Sequence, residues 1–227
     1  MKSRIKKAAQ ILLGSVIGLS LLCSTNAYAQ DGTPTIYRCH QNKDKKIALT
    51  FDDGPHPRLT LKILSILERY DVKATFFVVG ENVENYAPVL QQILAQGHEI
   101  GNHTYSHDKI DVDELERCEN AIYECLEYKT KLFRPPEGHV NESVKSVAQQ
   151  MGYDIILWDV DTRDWDHTRP EKILNIINTQ VRSGSIILMH DYIGHNSPTL
   201  TALEMILPKL IQDGYQFVTV SELISSI

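Results

Sequence analysis

The chain has 227 residues, with 23 Lys and Arg against 29 Asp and Glu and a formal net charge of −6 at pH 7. That length suits a single α/β domain, and the acidic balance gives no electrostatic reason for a nucleic acid partner. The cysteines, four in all, have no metal-knuckle spacing.

Residues 1–29 stand apart from the rest. A basic head (Lys2, Arg4, Lys6, Lys7), an apolar run from Ile11 to Leu22 and a small-x-small ending at Ala29 read as an export signal cut after Ala29. An uncleaved anchor is the alternative, but the apolar run is short for a spanning helix. Leu22 also stands before Cys23, where a lipid anchor wants a small residue. The expectation is therefore a secreted or cell-envelope protein without a stable membrane anchor after cleavage. Cleavage removes four basic and no acidic residues, leaving 19 against 29. Of the cysteines that remain, Cys118 and Cys125 lie two helical turns apart, about 10 Å, and cannot bridge each other. Cys39 can pair with either or with neither.

Residues 30–45 form a polar lead, and residues 46–227 alternate apolar runs with helical patterns. The first strand is expected over Ile47–Phe51 and ends in the paired carboxylates Asp52 and Asp53 before a Gly-Pro turn. A helix over Thr60–Tyr70 leads to a strand over Ala74–Val79, and a helix over Val83–Gln96 to a strand over His98–Gly101. Val112, Leu115, Cys118, Ile122, Cys125 and Leu126 share one face of a helix expected over Val112–Tyr128. Next come a strand over Lys131–Arg134, a helix over Glu142–Met151 and a strand over Ile155–Asp159. A helix over Pro170–Arg182 opens with the proline that suits a first turn. It leads to a strand over Ile186–His190, a helix over Leu200–Asp213, a strand over Gln216–Val220 and a tail over Ser221–Ile227. Gly97, Gly152 and Gly214 mark three helix ends. Strand and helix in unbroken alternation imply parallel strands joined by right-handed crossovers. With about seven such units, a (β/α) barrel of one domain is expected.

Polar residues fall just after the strand runs: Asp52 and Asp53, His103 and His107, Arg134, Asp161 with Asp164 and Trp165, then His190 with Asp191. In a parallel barrel these ends open on one face, where active sites are built. His103 and His107 are four apart, so a helical turn would bring both imidazoles to one side, a spacing common among metal ligands. A carboxylate from the Asp52–Asp53 pair would complete a site open to water and substrate. The other carboxylate would stay beside the activated water as a base. Taken alone, "DDGP" also reads as a turn with a helix cap. No serine sits in a G-x-S-x-G elbow.

In this order, "TFDDGP" (50–55), "HTYSH" (103–107), "RPPEG" (134–138), "DTRDW" (161–165) and "ILMHD" (187–191) resemble the five motifs of the polysaccharide deacetylase family, the NodB-type homology domain. The resemblance runs over residues 46–227. It implies a deformed (β/α) barrel that removes N-acetyl groups from N-acetylglucosamine polymers such as peptidoglycan or chitin-like oligomers, or O-acetyl groups from xylan. It implies one divalent metal ion, zinc with cobalt or nickel as alternatives, held by Asp53, His103 and His107. It further implies Asp52 as general base, His190 as general acid, Arg134 as the residue orienting the base and Asp164 as the carboxylate tuning His190. Trp165 and Leu188 match apolar walls around the acetyl methyl, and the turn at Pro136 and Glu137 matches the oxyanion and sugar side. Glu137 departs from the family, which commonly has tyrosine there; a carboxylate would disfavour anionic sugars. A polysaccharide partner and a monomer are expected. His40, His56, His98, His139, His167 and His195 match no motif role and are assigned to surface or loop positions, with His56 nearest the site.

Overall fold

The computed structural model describes residues 33–192, 194 and 197–225; the expected export signal, His195 and the last residues of the expected tail lie outside them. Nine strands form one sheet: β1 (Ile36–Tyr37), β2 (Lys46–Asp52), β3 (Thr75–Val78), β4 (Glu99–Asn102), β5 (Leu132–Phe133), β6 (Asp154–Ile156), β7 (Val160–Asp161), β8 (Ile186–His190) and β9 (Gln216–Val218). All their ladders are parallel. Around them lie α1 (Leu59–Arg69), α2 (Gly80–Asn85), α3 (Ala87–Ala95), α4 (Val112–Leu126), α5 (Glu142–Met151), α6 (Pro170–Gln180), α7 (Thr199–Gln212) and α8 (Val220–Ile224). The barrel class expected from the alternation is the one found.

The sheet runs β1, β6, β5, β4, β3, β2, β8, β7, with β9 against the start of β2. This makes two strands more than expected. One is β1, which draws the polar lead into the sheet: Ile36 and Tyr37 pair with Ile155 and Ile156. The other comes from the run expected as one strand over Ile155–Asp159. The chain leaves β6 after Ile156, crosses to the far end of the sheet and pairs as β7 with β8. Leu157 donates its N–H to Tyr37 and Asp159 to Ile186, so residues 157–159 span the seam where a closed barrel would carry a ladder. This seam is the deformation of the barrel. The helix expected over Val83–Gln96 is likewise two, α2 and α3, broken at Tyr86 with Pro88 in the first turn of α3. Proline tolerates a first turn but not a helix interior.

Period-two alternation sorts the strand residues between two faces. Leu49, Phe51, Ile187 and Met189 point outward into the layer formed with α1 and α7, where Ile63, Leu67, Leu203 and Leu207 are buried. Each such burial is worth roughly 1.5–3 kcal/mol. Ala48 and Ile186 point inward and pack with Phe77, Leu132, Ile156 and the α8 residues Val220 and Leu223, which close the bottom of the barrel. The top of the interior is polar. Thr50 and Asp52 are register partners of Leu188 and His190, and Phe77 is the partner of Asp52. Parallel pairing therefore turns all five side chains to the same inner face. Cys118 and Cys125 are free thiols, so neither is bonded to Cys39. Among the described residues no helix is long and apolar enough to cross a membrane.

Candidate active site

A cavity of about 440 Å³ opens at the C-terminal strand ends, lined by Asp52, Asp53, His103, His107, Glu137, Trp158, Asp161, Trp165, Leu188 and His190. The residues singled out from the sequence thus converge from β2, β4, β5, β7 and β8.

Asp53, His103 and His107 present ligand atoms all within 4.8 Å of one another. His103 Nε2 and His107 Nε2 lie 3.4 and 3.3 Å from Asp53 Oδ1. His103 Nδ1 donates to the Arg134 carbonyl at 2.7 Å, which fixes the proton on Nδ1 and leaves the Nε2 lone pair facing the centre. Burial, aided by His103, pulls His107 below the ordinary imidazole value and so favours its neutral, ligating form. At Asp53 burial opposes ionisation, but His103, His190 and His107 together hold the carboxyl below its usual value. Two imidazoles and one carboxylate suit a divalent ion such as zinc or cobalt.

The two histidines meet through a loop and not through the helical turn expected from their spacing. Thr104 and His107 both take left-handed backbone conformations, φ 69° and 61°. Asn102, buried in β4, accepts from Thr104 N at 2.8 Å and donates to the Leu115 carbonyl and Tyr153 Oη. The first amides of α2 donate to the carbonyls of Thr104 and Tyr105, and buried Glu114 accepts from both Ser106 N and Ser106 Oγ. Strained backbone persists only where its surroundings over-determine it, and here they do.

Arg134 is fully buried and lies over the Phe77 ring at 4.0 Å. Its Nη1 donates to Asp52 Oδ1 at 2.7 Å and to Thr50 Oγ1 at 2.8 Å. Its Nε and Nη2 donate to the carbonyls of Ile156 and Leu157, where the chain leaves β6. One guanidinium thus aims Asp52 and pins the seam. Burial lowers its own pKa, and Asp52 opposes that. Breaking a buried ion pair costs about 3–5 kcal/mol, so the pair is structural as well as electrostatic.

Buried Asp164 accepts from His190 Nδ1 at 2.8 Å, His190 N at 2.9 Å and Thr199 Oγ1 at 2.7 Å. Burial works against a charged His190, but the hydrogen bond and charge of Asp164, with the charges of Asp52 and Asp53, push it up to about 9. The imidazole is thereby held protonated at neutral pH. Leu188 forms an apolar wall two residues before it, and Trp165 stands half exposed at the mouth. Pro136 is buried, and Glu137 follows it in the left-handed region at φ 58°.

One residue lining the cavity, Trp158, is not singled out by the sequence. Trp158 lines the cavity from the seam, and a Cβ on Gly138 would come within 2.7 Å of its ring, so that position needs glycine. Asp191 is fully buried against Gly54, whose absent side chain makes room for it, and accepts from Thr60 Oγ1 at 2.5 Å. Burial pushes its carboxyl up to about 7. His98 is a buried core residue and not a surface one: its Nδ1 accepts from Ala74 N, and burial pulls it down to about 4. His56 caps α1, its Nδ1 accepting from Leu59 N at 2.9 Å.

The sequence profile of the family described as Polysaccharide deacetylase matches residues 40–156. A peptidoglycan-N-acetylglucosamine deacetylase of Bacillus cereus is 42% identical over 191 residues, 81% of this chain and 90% of that protein. The crystal structure of the Bc1960 peptidoglycan N-acetylglucosamine deacetylase with 4-naphthalen-1-yl-N-oxidanyl-benzamide superposes with a TM-score of 0.80 at 34% identity, over 85% of this chain and 94% of that one. A family 4 acetyl xylan esterase from Clostridium thermocellum, in complex with a cobalt ion, gives a TM-score of 0.73 at 34% identity, over 80% and 91% of the two chains. On this profile match, these identities and the convergence of all five motifs on one cavity, the chain belongs to the polysaccharide deacetylase family.

Proposed function

We propose that this protein hydrolyses N-acetyl groups on N-acetylglucosamine-containing polysaccharide, of the peptidoglycan or chitin type, and that it does so with one divalent ion at Asp53, His103 and His107. Zinc or cobalt suits that donor set, and bound there the ion supplies Lewis acidity that acidifies water and polarises a carbonyl oxygen. Asp52 takes the proton of the attacking water, its carboxylate aimed by Arg134. The Glu137 N–H donates to the oxyanion that develops on the acetyl group. Leu188 and Trp165 enclose the acetyl methyl. His190 Nε2 delivers a proton to the departing amine, its Nδ1 anchored on Asp164.

The observation that carries the amide reading is His190 held protonated by Asp164. An amine cannot leave as an anion, whereas an alkoxide can leave with less help. The O-acetyl ester reading is favoured by the likeness to the acetyl xylan esterase. Incubation with N-acetylated chitooligosaccharide, peptidoglycan and acetylxylan, with acetate and free amines measured, separates the two. Free amines on the first two are expected; acetate from acetylxylan alone would contradict the proposal.

The acid role has its own test in pH. His190 acts while protonated, so activity falls as pH rises through its pKa, and the raised value extends activity upward. Replacing Asp164 with Asn removes the negative charge that raises it while leaving an amide oxygen that can still accept from Nδ1, and the alkaline limb of kcat/KM should move to lower pH. A limb that stays in place would remove His190 from this role. Residues 1–29 support export, and we place the protein outside the cytoplasm or in the cell envelope as a monomer.

A further inference from the structure

The acidic groups of the cavity divide into those with partners and those without. Asp52 is paired with Arg134, Asp164 with His190, and Asp53 with His103 and His107. Glu137 and Asp161 also line the cavity, yet among the described residues neither has a lysine or arginine partner. Asp161 accepts only the backbone N–H of Arg163, whose guanidinium is turned to Asp166 and the Trp165 ring. The charge of Glu137 is felt by His107, and the residue is exposed at the mouth. The two come from the ends of β5 and β7, and Trp158, on the seam between them, meets Gly138 beside Glu137.

Resting on the deacetylase reading above, we propose that Glu137 and Asp161 form an electronegative rim that selects glycans whose sugar next to the reacting residue is already a free amino sugar, and that works against a carboxylate-bearing neighbour. A carboxylate at the edge of the cavity, with no cationic side chain beside it, attracts a cation of the ligand. The cation available on such a glycan is the ammonium of glucosamine, the group this reaction itself produces. The rim opposes the lactyl carboxylate of a muramic acid neighbour by the same physics. At separations of about 6–8 Å and an effective dielectric near 20, one such pair alters binding by roughly tenfold once salt screening is included. Each turnover also creates the favoured neighbour for the next, so deacetylation clusters along a chain.

The test uses three oligosaccharides of equal length: fully N-acetylated chitooligosaccharide, the same with one glucosamine beside the reacting residue, and one with N-acetylmuramic acid there. The variants are Glu137→Gln, Asp161→Asn and the pair together. Both amides keep the shape of the carboxylates they replace, and the one at position 161 keeps an acceptor for Arg163 N. In the double variant the cationic-to-neutral ratio of kcat/KM should fall roughly tenfold and the anionic-to-neutral ratio should rise. In the unmodified enzyme both preferences should shrink as salt is raised, which a steric effect would not do. Ratios unchanged by the substitutions, or an equal gain on all three glycans, would overturn the rim. Acetate release from none of the three would overturn the deacetylase reading and the rim with it.

Discussion

Asp52→Asn is expected to lower kcat by roughly 10²–10⁴ while the protein stays folded and keeps its metal ion, because a general base contributes about that factor. The substitution is mild in structure. Asn retains an oxygen in the place where Asp52 Oδ1 accepts from Arg134, and its register beside His190 does not change. It is severe in chemistry, since an amide cannot take a proton from water at neutral pH. In free energy the loss corresponds to about 2.7–5.5 kcal/mol of transition-state stabilisation. KM should change little, because the role proposed for Asp52 is to take a proton in the transition state and not to hold the sugar. Steady-state kinetics on a chitooligosaccharide, with metal content measured on the same preparation, reads both parts. A loss below tenfold would place the base elsewhere, and a loss of metal would make Asp52 a ligand.

Much of the site was legible because strand ends are legible. Apolar runs that stop at Asp52, Arg134 and His190 mark the end of a parallel strand, and in a barrel such ends share one face. Helices α1, α4, α5, α6 and α7 carry clear one-sided patterns and were found within a few residues of their bounds. The seam was not legible, because Ile155, Ile156 and Leu157 are all buried. An unbroken apolar run gives no sign that the chain leaves one edge of the sheet for the other. With the seam went Trp158, which enters the cavity only because of that crossing. The spacing of His103 and His107 suits a helical turn where the chain forms a loop, since spacing carries no information about left-handed residues. Those conformations are imposed by Asn102, Glu114 and the start of α2, all contacts made in three dimensions. A histidine counts as polar in a pattern, yet one satisfied by a backbone N–H, as His98 is by Ala74, is accommodated in a core.

In the proposed mechanism Asp53, His103 and His107 hold the ion on which hydrolysis depends, with Asp52 outside that set. The most direct test is acetate release measured on the purified chain before chelation, after chelation and after titration with zinc or cobalt, with metal content determined at each stage. Asp53→Ala, His103→Ala and His107→Ala are carried alongside. The expected result is one ion per active chain, no measurable activity after chelation, recovery that saturates at one equivalent, and variants that bind the ion poorly and do not recover. Asp52→Asn should instead bind one ion and remain slow. Full activity in a metal-free preparation, or wild-type metal affinity in the triad variants, would contradict the account.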